Sequence, residues 1–158
     1  IALEIDGKIE HGLIYNPCTN DLFTASRGSG AFLNNRRIRV SGRIRLSDAL
    51  LSTAIPSNEL KINPSLVSLQ TSLRFNASGL RYSGSSALDL AYVAAGHIDG
   101  FIGVGLSPWD IAAGALLVKE AGGLITDLTG EGDFMSGSIV AAAPKILPHL
   151  LREINPAE

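Results

Sequence analysis

Hydrophobic and polar positions alternate from the first residue, with Ile1, Leu3 and Ile5 on one face of an extended segment. Asp6-Gly7 follows, a pair suited to a type I′ turn because both turn positions need positive φ, and a second strand runs through Ile9, His11, Leu13 and Tyr15. The chain therefore opens on a β-hairpin. From Leu22 to Val40, "LFTASRGSGAFLNNRRIRV" holds two strand-like runs, a Gly-rich turn and an Asn34-Asn35 turn, so the first third reads as an antiparallel meander. Natural domains seldom begin abruptly on a well-formed strand, and a segment preceding Ile1 is expected.

Past Ser41 the period changes. Asn63-Pro64 opens a helical stretch with Leu66, Leu69 and Leu73 at helical spacing, closed between Asn76 and Gly79. A short strand near Leu80 to Ser83 leads to a helix in "SALDLAYVAAG". After it come the apolar strand "DGFIGV", a helix after Asp110, "GLITDL", "SIVAAA" and a terminal helix "KILPHLLREI". This second part reads as layered α/β. The segment from Ser41 to Pro56 reads as a junction. Residues 1–45 and 46–158 are thus expected as two subregions, an antiparallel sheet and a smaller α/β part with a mixed sheet, sharing the core of one incomplete domain.

Composition narrows the class. A chain of 158 residues suits one domain, and although 46% of it is hydrophobic, no apolar run is long enough for a membrane span. The net charge of −2 gives no overall pull toward nucleic acid, and a single cysteine, Cys18, forms no internal disulfide, which points to the cytoplasm.

Candidate chemistry gathers at two helix starts. In "PWDIAAGALLVKEAGG", Pro108 to Gly123, Asp110 stands ahead of an almost wholly apolar helix, where a carboxylate either caps free N–H groups or serves as a hard-oxygen ligand for Mg²⁺. The small residues Ala112, Ala113, Gly114 and Ala115 let the backbone approach something closely, leaving room for a polar site. In "RYSGSSALDLAYVAAG" a strand turns through Gly84 into a helix whose first N–H groups lie near Ser85 and Ser86. Such a terminus attracts anions, while Ser86 with Asp89 three residues on also resembles a capping box.

Other features carry bland readings. "RGSGAF" lacks the P-loop lysine and reads as a turn, and the cluster Arg36, Arg37, Arg39, Arg43 and Arg45, without interleaved aromatics, reads as a solvated strand face. His11, His97, His149 and Cys18 are scattered without metal-ligand spacing, and Asp99 and Asp127 have ordinary turn explanations.

Assembled in order, "GLIYNP", "GSGAFLNN", "SGSSALDLAYVAAG" and "PWDIAAGALLVKEAGG" with "ITDLTG" resemble the inositol monophosphatase family, most closely its bacterial members, over almost the whole chain. The resemblance implies an alternating αβαβα sandwich, here without its N-terminal part, and a Mg²⁺-dependent phosphomonoesterase acting on inositol monophosphate or a similar small polyol phosphate. It implies that Asp110 is a metal ligand lying close to substrate, that Gly84, Ser85 and Ser86 contact the substrate, and that the protein is a homodimer. Gly103 stands where members acting on inositol phosphates commonly carry a Glu that binds a ring hydroxyl, which loosens the assignment to inositol. The family's first acidic metal ligands and its Asp-Pro-x-Asp-Gly-Thr segment fall upstream of Ile1. The remaining catalytic residues are therefore expected there, and the 158 residues alone are expected to be inactive.

Two alternatives accompany this reading. One is a phosphatase for another small phosphate, such as histidinol phosphate, fructose bisphosphate or a phosphoadenosine nucleotide. The other is a non-catalytic module that keeps the fold and binds protein or RNA through Arg36 to Arg45.

Overall fold

The computed structural model describes residues 1–156. Strands β1 (Ala2–Ile5), β2 (Lys8–Asn16), β3 (Asp21–Ser26), β4 (Gly30–Leu33) and β5 (Arg36–Ile38) form an antiparallel meander in sequence order, sheet A. The expected turns form with the expected backbone: φ is 50° at Asp6 and 73° at Gly7, and 47° and 64° at Asn34 and Asn35. The Asn34-Asn35 turn adds β5 as a third strand where the sequence pattern shows two runs.

The rest of the chain contains β6 (Leu50–Ala54), α1 (Ser57–Ile62), α2 (Pro64–Asn76), β7 (Gly79–Arg81), α3 (Ser86–Ala94) and β8 (Gly100–Gly103). After these come α4 (Pro108–Glu120), β9 (Leu124–Thr126), β10 (Ile139–Ala142) and α5 (Leu147–Ile154). Its strands form sheet B in the order β7-β6-β8-β10-β9, with β7, β6 and β8 parallel and β10 antiparallel to both neighbours. The Ser41 to Pro56 segment is more than a junction, because β6 is a central strand of this sheet. At five residues, "LLSTA", it is too short to show a period, and burial on both faces removes the polar alternation that would mark it.

Alternation along β8 and β10 explains the layering. Phe101, Ile139 and Ala141 face a core shared with α3, α4 and the inner face of sheet A, where Ile14, Phe23 and Ala31 lie. Ile102, Val140 and Ala142 face the opposite core, against Leu66, Leu69 and Leu73 of α2 and Leu147 and Leu150 of α5. The layers therefore run sheet A, α3 with α4, sheet B, α2 with α5, in agreement with the layered sandwich expected from the sequence. Leu3, Ile5 and Tyr15 lie exposed on sheet A. Among the described residues no helix is long and apolar enough to cross a membrane.

Candidate functional site

Strand direction brings the two candidate helix starts to one place. α3 begins just after β7 and α4 just after β8, and because these strands run parallel, both helix N-termini stand at the same carboxyl edge of sheet B. Ligands of open α/β sheets bind at such edges. The helices also touch, since a Cβ built on Gly114 would lie 2.4 Å from Leu90 Cβ.

Asp110 is not ahead of α4 but is its third residue, after the N-cap Ser107, Pro108 and an exposed Trp109. Its Oδ2 accepts the Ser107 N–H at 3.0 Å, which folds the half-buried carboxylate back over the first turn. The small residues behind it serve packing: a Cβ on Gly12 of β2 would meet the Ala113 carbonyl oxygen at 2.9 Å, and Gly114 meets Leu90. Both close approaches are to backbone and apolar side chains, so at Ala113 and Gly114 the room suggested for a polar site is filled by β2 and α3.

At α3 the cap is Ser85, whose hydroxyl accepts the Leu88 N–H at 3.4 Å, and Ser86 is the first helical residue. The capping box between Ser86 and Asp89 does not form. Asp89 points inward with 2% exposure, on the stripe that also buries Leu90 and Val93. The Ser85 N–H donates to the Ser83 hydroxyl at 3.1 Å, and Gly84 between them has φ 85°, a left-handed conformation that glycine adopts without a Cβ penalty. Burial pushes the Asp89 carboxyl above the usual carboxylate range, opposed by the Ser83 and Ser52 hydroxyls that face it and favour its charged form.

Gly103 closes β8, opposite Ala54 and Ile139. A Cβ there would meet Leu106 Cδ1 at 2.5 Å and the Phe101 ring at 3.1 Å, so the space of a side chain is taken by Leu106.

Two acidic residues, Asp99 and Glu120, do work that the sequence pattern does not disclose. Asp99, 4% exposed, accepts the Leu50 N–H at 2.7 Å and lies 3.6 Å from the Arg43 guanidinium, tying the start of β8 to the start of β6 rather than shaping a turn. Glu120 reaches back to the Gly-rich turn, its two oxygens accepting the Gly28 and Gly30 N–H groups at 2.7 Å each. "RGSGAF" is thus an anion-holding nest filled by the chain's own carboxylate. Asp89 could have been found from its spacing: four residues before Val93, it falls on the apolar stripe of α3. Asp127 fits its turn reading, accepting from Thr129, Gly130 and Glu131; the Thr129 hydroxyl leads the contacts that lower its pKa.

The remaining candidates are dispersed. His11 pairs with the Ser26 hydroxyl at 2.8 Å, His97 packs near the Tyr92 ring and Cys18 is exposed. Of the arginines, Arg37 donates to the Ser29 carbonyl, Arg43 pairs with Asp99 and Arg45 with Asp48. Among the described residues no group of three His, Cys, Asp or Glu side chains could hold a metal ion. Asp110, a carboxylate held rigidly at a helix start, suits a hard cation as one ligand, and Mg²⁺ usually adds phosphate and water oxygens to one or two carboxylates. The described residues supply no more of a ligand set than that.

Alternating layers with two helix N-termini at one sheet edge place the chain among the layered α/β sandwiches. Comparison makes this specific: the model of the inositol monophosphatase family matches residues 1–157. The chain is 43% identical over 157 residues to the Nus factor SuhB of Pasteurella multocida, an alignment covering 99% of this chain and 59% of that protein. It is 46% identical over 156 residues to an inositol-1-monophosphatase of Mesorhizobium japonicum, covering 98% of this chain and 59% of the relative. Among solved structures it superimposes on the extragenic suppressor protein suhB of Bartonella henselae with a TM-score of 0.94 at 46% identity, over 99% of this chain and 60% of that one. An inositol monophosphatase from Anabaena gives a TM-score of 0.91 at 36% identity, over 99% and 65%. The chain belongs to the inositol monophosphatase family, and it spans about three fifths of the length of the curated relatives it matches.

Proposed function

We propose that the protein is a Mg²⁺-dependent phosphomonoesterase that hydrolyses inositol monophosphate or a similar small polyol phosphate. The observation that carries this reading is the meeting of the α3 and α4 N-termini at one sheet edge, with Asp110 on the first turn of α4. Helix N-termini carry roughly half a positive charge and unpaired N–H donors, which suit a phosphate dianion. In this reading the backbone at Gly84, Ser85 and Ser86 receives the phosphate, and Asp110 contributes one carboxylate ligand beside it. Mg²⁺, when bound, neutralises phosphate charge and activates water. Gly103 offers no acceptor to a ring hydroxyl, and Leu106 fills its place, so a site of this kind discriminates weakly between polyols. By the same reading the protein is a cytoplasmic homodimer; light scattering on the purified full-length protein checks the dimer.

The test is Asp110→Asn in the full-length protein, with phosphate release from inositol 1-phosphate measured against Mg²⁺ concentration. Turnover is expected to fall to background, and near-normal turnover refutes the site. A panel with histidinol phosphate, fructose bisphosphate and phosphoadenosine nucleotides separates the substrate classes.

A second reading is favoured by the relatives named Nus factors: the protein works by binding a macromolecule, through the Arg36 to Arg45 face. Three of those five arginines are already engaged within the chain, which favours the phosphatase. Salt-dependent RNA binding without any Mg²⁺-dependent phosphate release would reverse that preference.

A further inference from the structure

Arg43 and Arg45 border a cavity that the chemistry above leaves unused. It measures about 730 Å³ and opens between segments 41–45 and 96–99. β6 starts at Leu50 and β8 at Gly100, side by side and parallel, so the cavity lies at the amino edge of sheet B, opposite the edge where α3 and α4 begin. Each arginine is held by a carboxylate. Asp99 Oδ2 lies 3.6 Å from Arg43 Nε and also accepts the Leu50 N–H at 2.7 Å. Asp48 Oδ2 lies 2.8 Å from Arg45 Nε and 2.7 Å from its Nη2. A guanidinium carries five N–H donors, so these pairings use only part of each. Both Nη groups of Arg43 and Nη1 of Arg45 have no hydrogen-bond partner among the described residues. What a ligand meets here is cationic, because the Arg43 and Arg45 side chains are 56% and 75% exposed while those of Asp99 and Asp48 are 6% and 38% exposed. Ile44, exposed between the two arginines, and Leu50 add apolar surface to the lining, and the exposed His97 ring lines it as well.

We propose that this cavity binds a phosphate monoester of nucleotide size, its phosphate on Arg43 and Arg45 and its organic group against Ile44, Leu50 and His97. Two guanidinium forks on one cavity suit a phosphate dianion, whose three terminal oxygens can accept from both, better than a carboxylate with two oxygens. Pairing with Asp99 and Asp48 fixes the arginines before the ligand arrives, which lowers the ordering cost of binding. A bare phosphate fills little of a cavity of about 730 Å³, whereas sites for organic ligands run to roughly 300–1,000 Å³. This site goes beyond the phosphatase reading and does not depend on it.

The experiment titrates the full-length protein with AMP, inorganic phosphate and adenosine by calorimetry in a buffer containing EDTA, and maps each ligand by amide hydrogen exchange. AMP is expected to protect segments 41–48 and 96–99 and to bind more tightly than inorganic phosphate, with adenosine at background. Arg45→Gln breaks only an exposed pair, and Arg43→Lys keeps a charge opposite Asp99 but loses the fork. Each is expected to weaken AMP about tenfold, the scale of one lost charged hydrogen bond, with a parent-like melting temperature. Parent-like affinity in both variants overturns the proposal. So does AMP protection confined to segment 82–90, or no AMP binding at millimolar concentration. Inorganic phosphate binding as tightly as AMP overturns the ester and leaves a free-anion site, and adenosine binding as tightly as AMP overturns the role of the phosphate. Should either variant fail to fold, the segments protected in the parent decide the question. Binding is read without Mg²⁺, so a parent that hydrolyses no phosphate ester ends the phosphatase reading and leaves this result standing.

Discussion

Replacing Gly114 by Ala adds one methyl group between α3 and α4, and the structure sets the consequence. The new Cβ would stand 2.4 Å from Leu90 Cβ and 2.6 Å from Leu90 Cδ1. Carbon atoms in contact prefer about 3.5–4.0 Å, so the shortfall exceeds about 1 Å. A rotamer change at Leu90 moves Cδ1 but not Cβ, which is fixed to the α3 backbone, so relief requires the helices themselves to part. α4 has little room to retreat, because its other side rests on β2, where Gly12 admits Ala113 at close range. Overpacking of this kind costs roughly 2–4 kcal/mol where backbone must shift, offset by about 1 kcal/mol for Ala over Gly inside a helix. The net expectation is a loss of about 1–3 kcal/mol, or a melting temperature lower by roughly 3–10 °C for a chain of this size. Urea unfolding followed by circular dichroism, with a thermal scan beside it, measures both. A variant as stable as the parent, or more stable through its better helix propensity, would refute the close approach of α3 and α4.

Glu120→Ala removes both acceptors from the Gly28 and Gly30 amides and is expected to cost about 1–3 kcal/mol in urea unfolding, with Glu120→Gln losing less; an unchanged midpoint for the Ala variant would show that the nest stands without its carboxylate. Asp89, with its folded pKa raised from the ordinary 3.8, binds more proton folded than unfolded, so its contribution to stability declines as pH rises from there through the folded pKa. Asp89→Asn removes that decline, and its stability relative to the parent is expected to improve as pH rises above about 4; a difference that stays flat with pH contradicts the burial argument. Asp110→Asn in the full-length protein is expected to abolish Mg²⁺-dependent phosphate release while leaving the melting temperature within a few degrees, since the Asn side-chain oxygen can still accept the Ser107 N–H.

Local signals were legible where a residue's own backbone preference decides the outcome. Asp6-Gly7 and Asn34-Asn35 turn as their positive φ values require, and Asn63-Pro64 starts α2 with the Asn63 side chain accepting the Ser65 N–H at 3.1 Å. β6 was not legible, because a five-residue strand covered on both faces has no polar alternation to display. At α3 the sequence offered Ser86 with Asp89 as a capping box, whereas Ser85 is the cap and Asp89 turns inward, which only the structure decides.

The sequence by itself determined the meander, the alternation of strands and helices after it, the family, and the two helix-start segments proposed for the site, since all of these rest on periodicity and on motifs contiguous in the chain. The tertiary structure alone decided that these segments share one edge, because strand direction in sheet B follows from which strands pair. It also decided that Glu120 fills the Gly-rich turn, that Leu106 occupies the space beside Gly103, and that Asp89 is buried on the inner face of α3. In each case the partner is remote in sequence or buried by a neighbouring layer, and a contact made by packing leaves no local pattern to read.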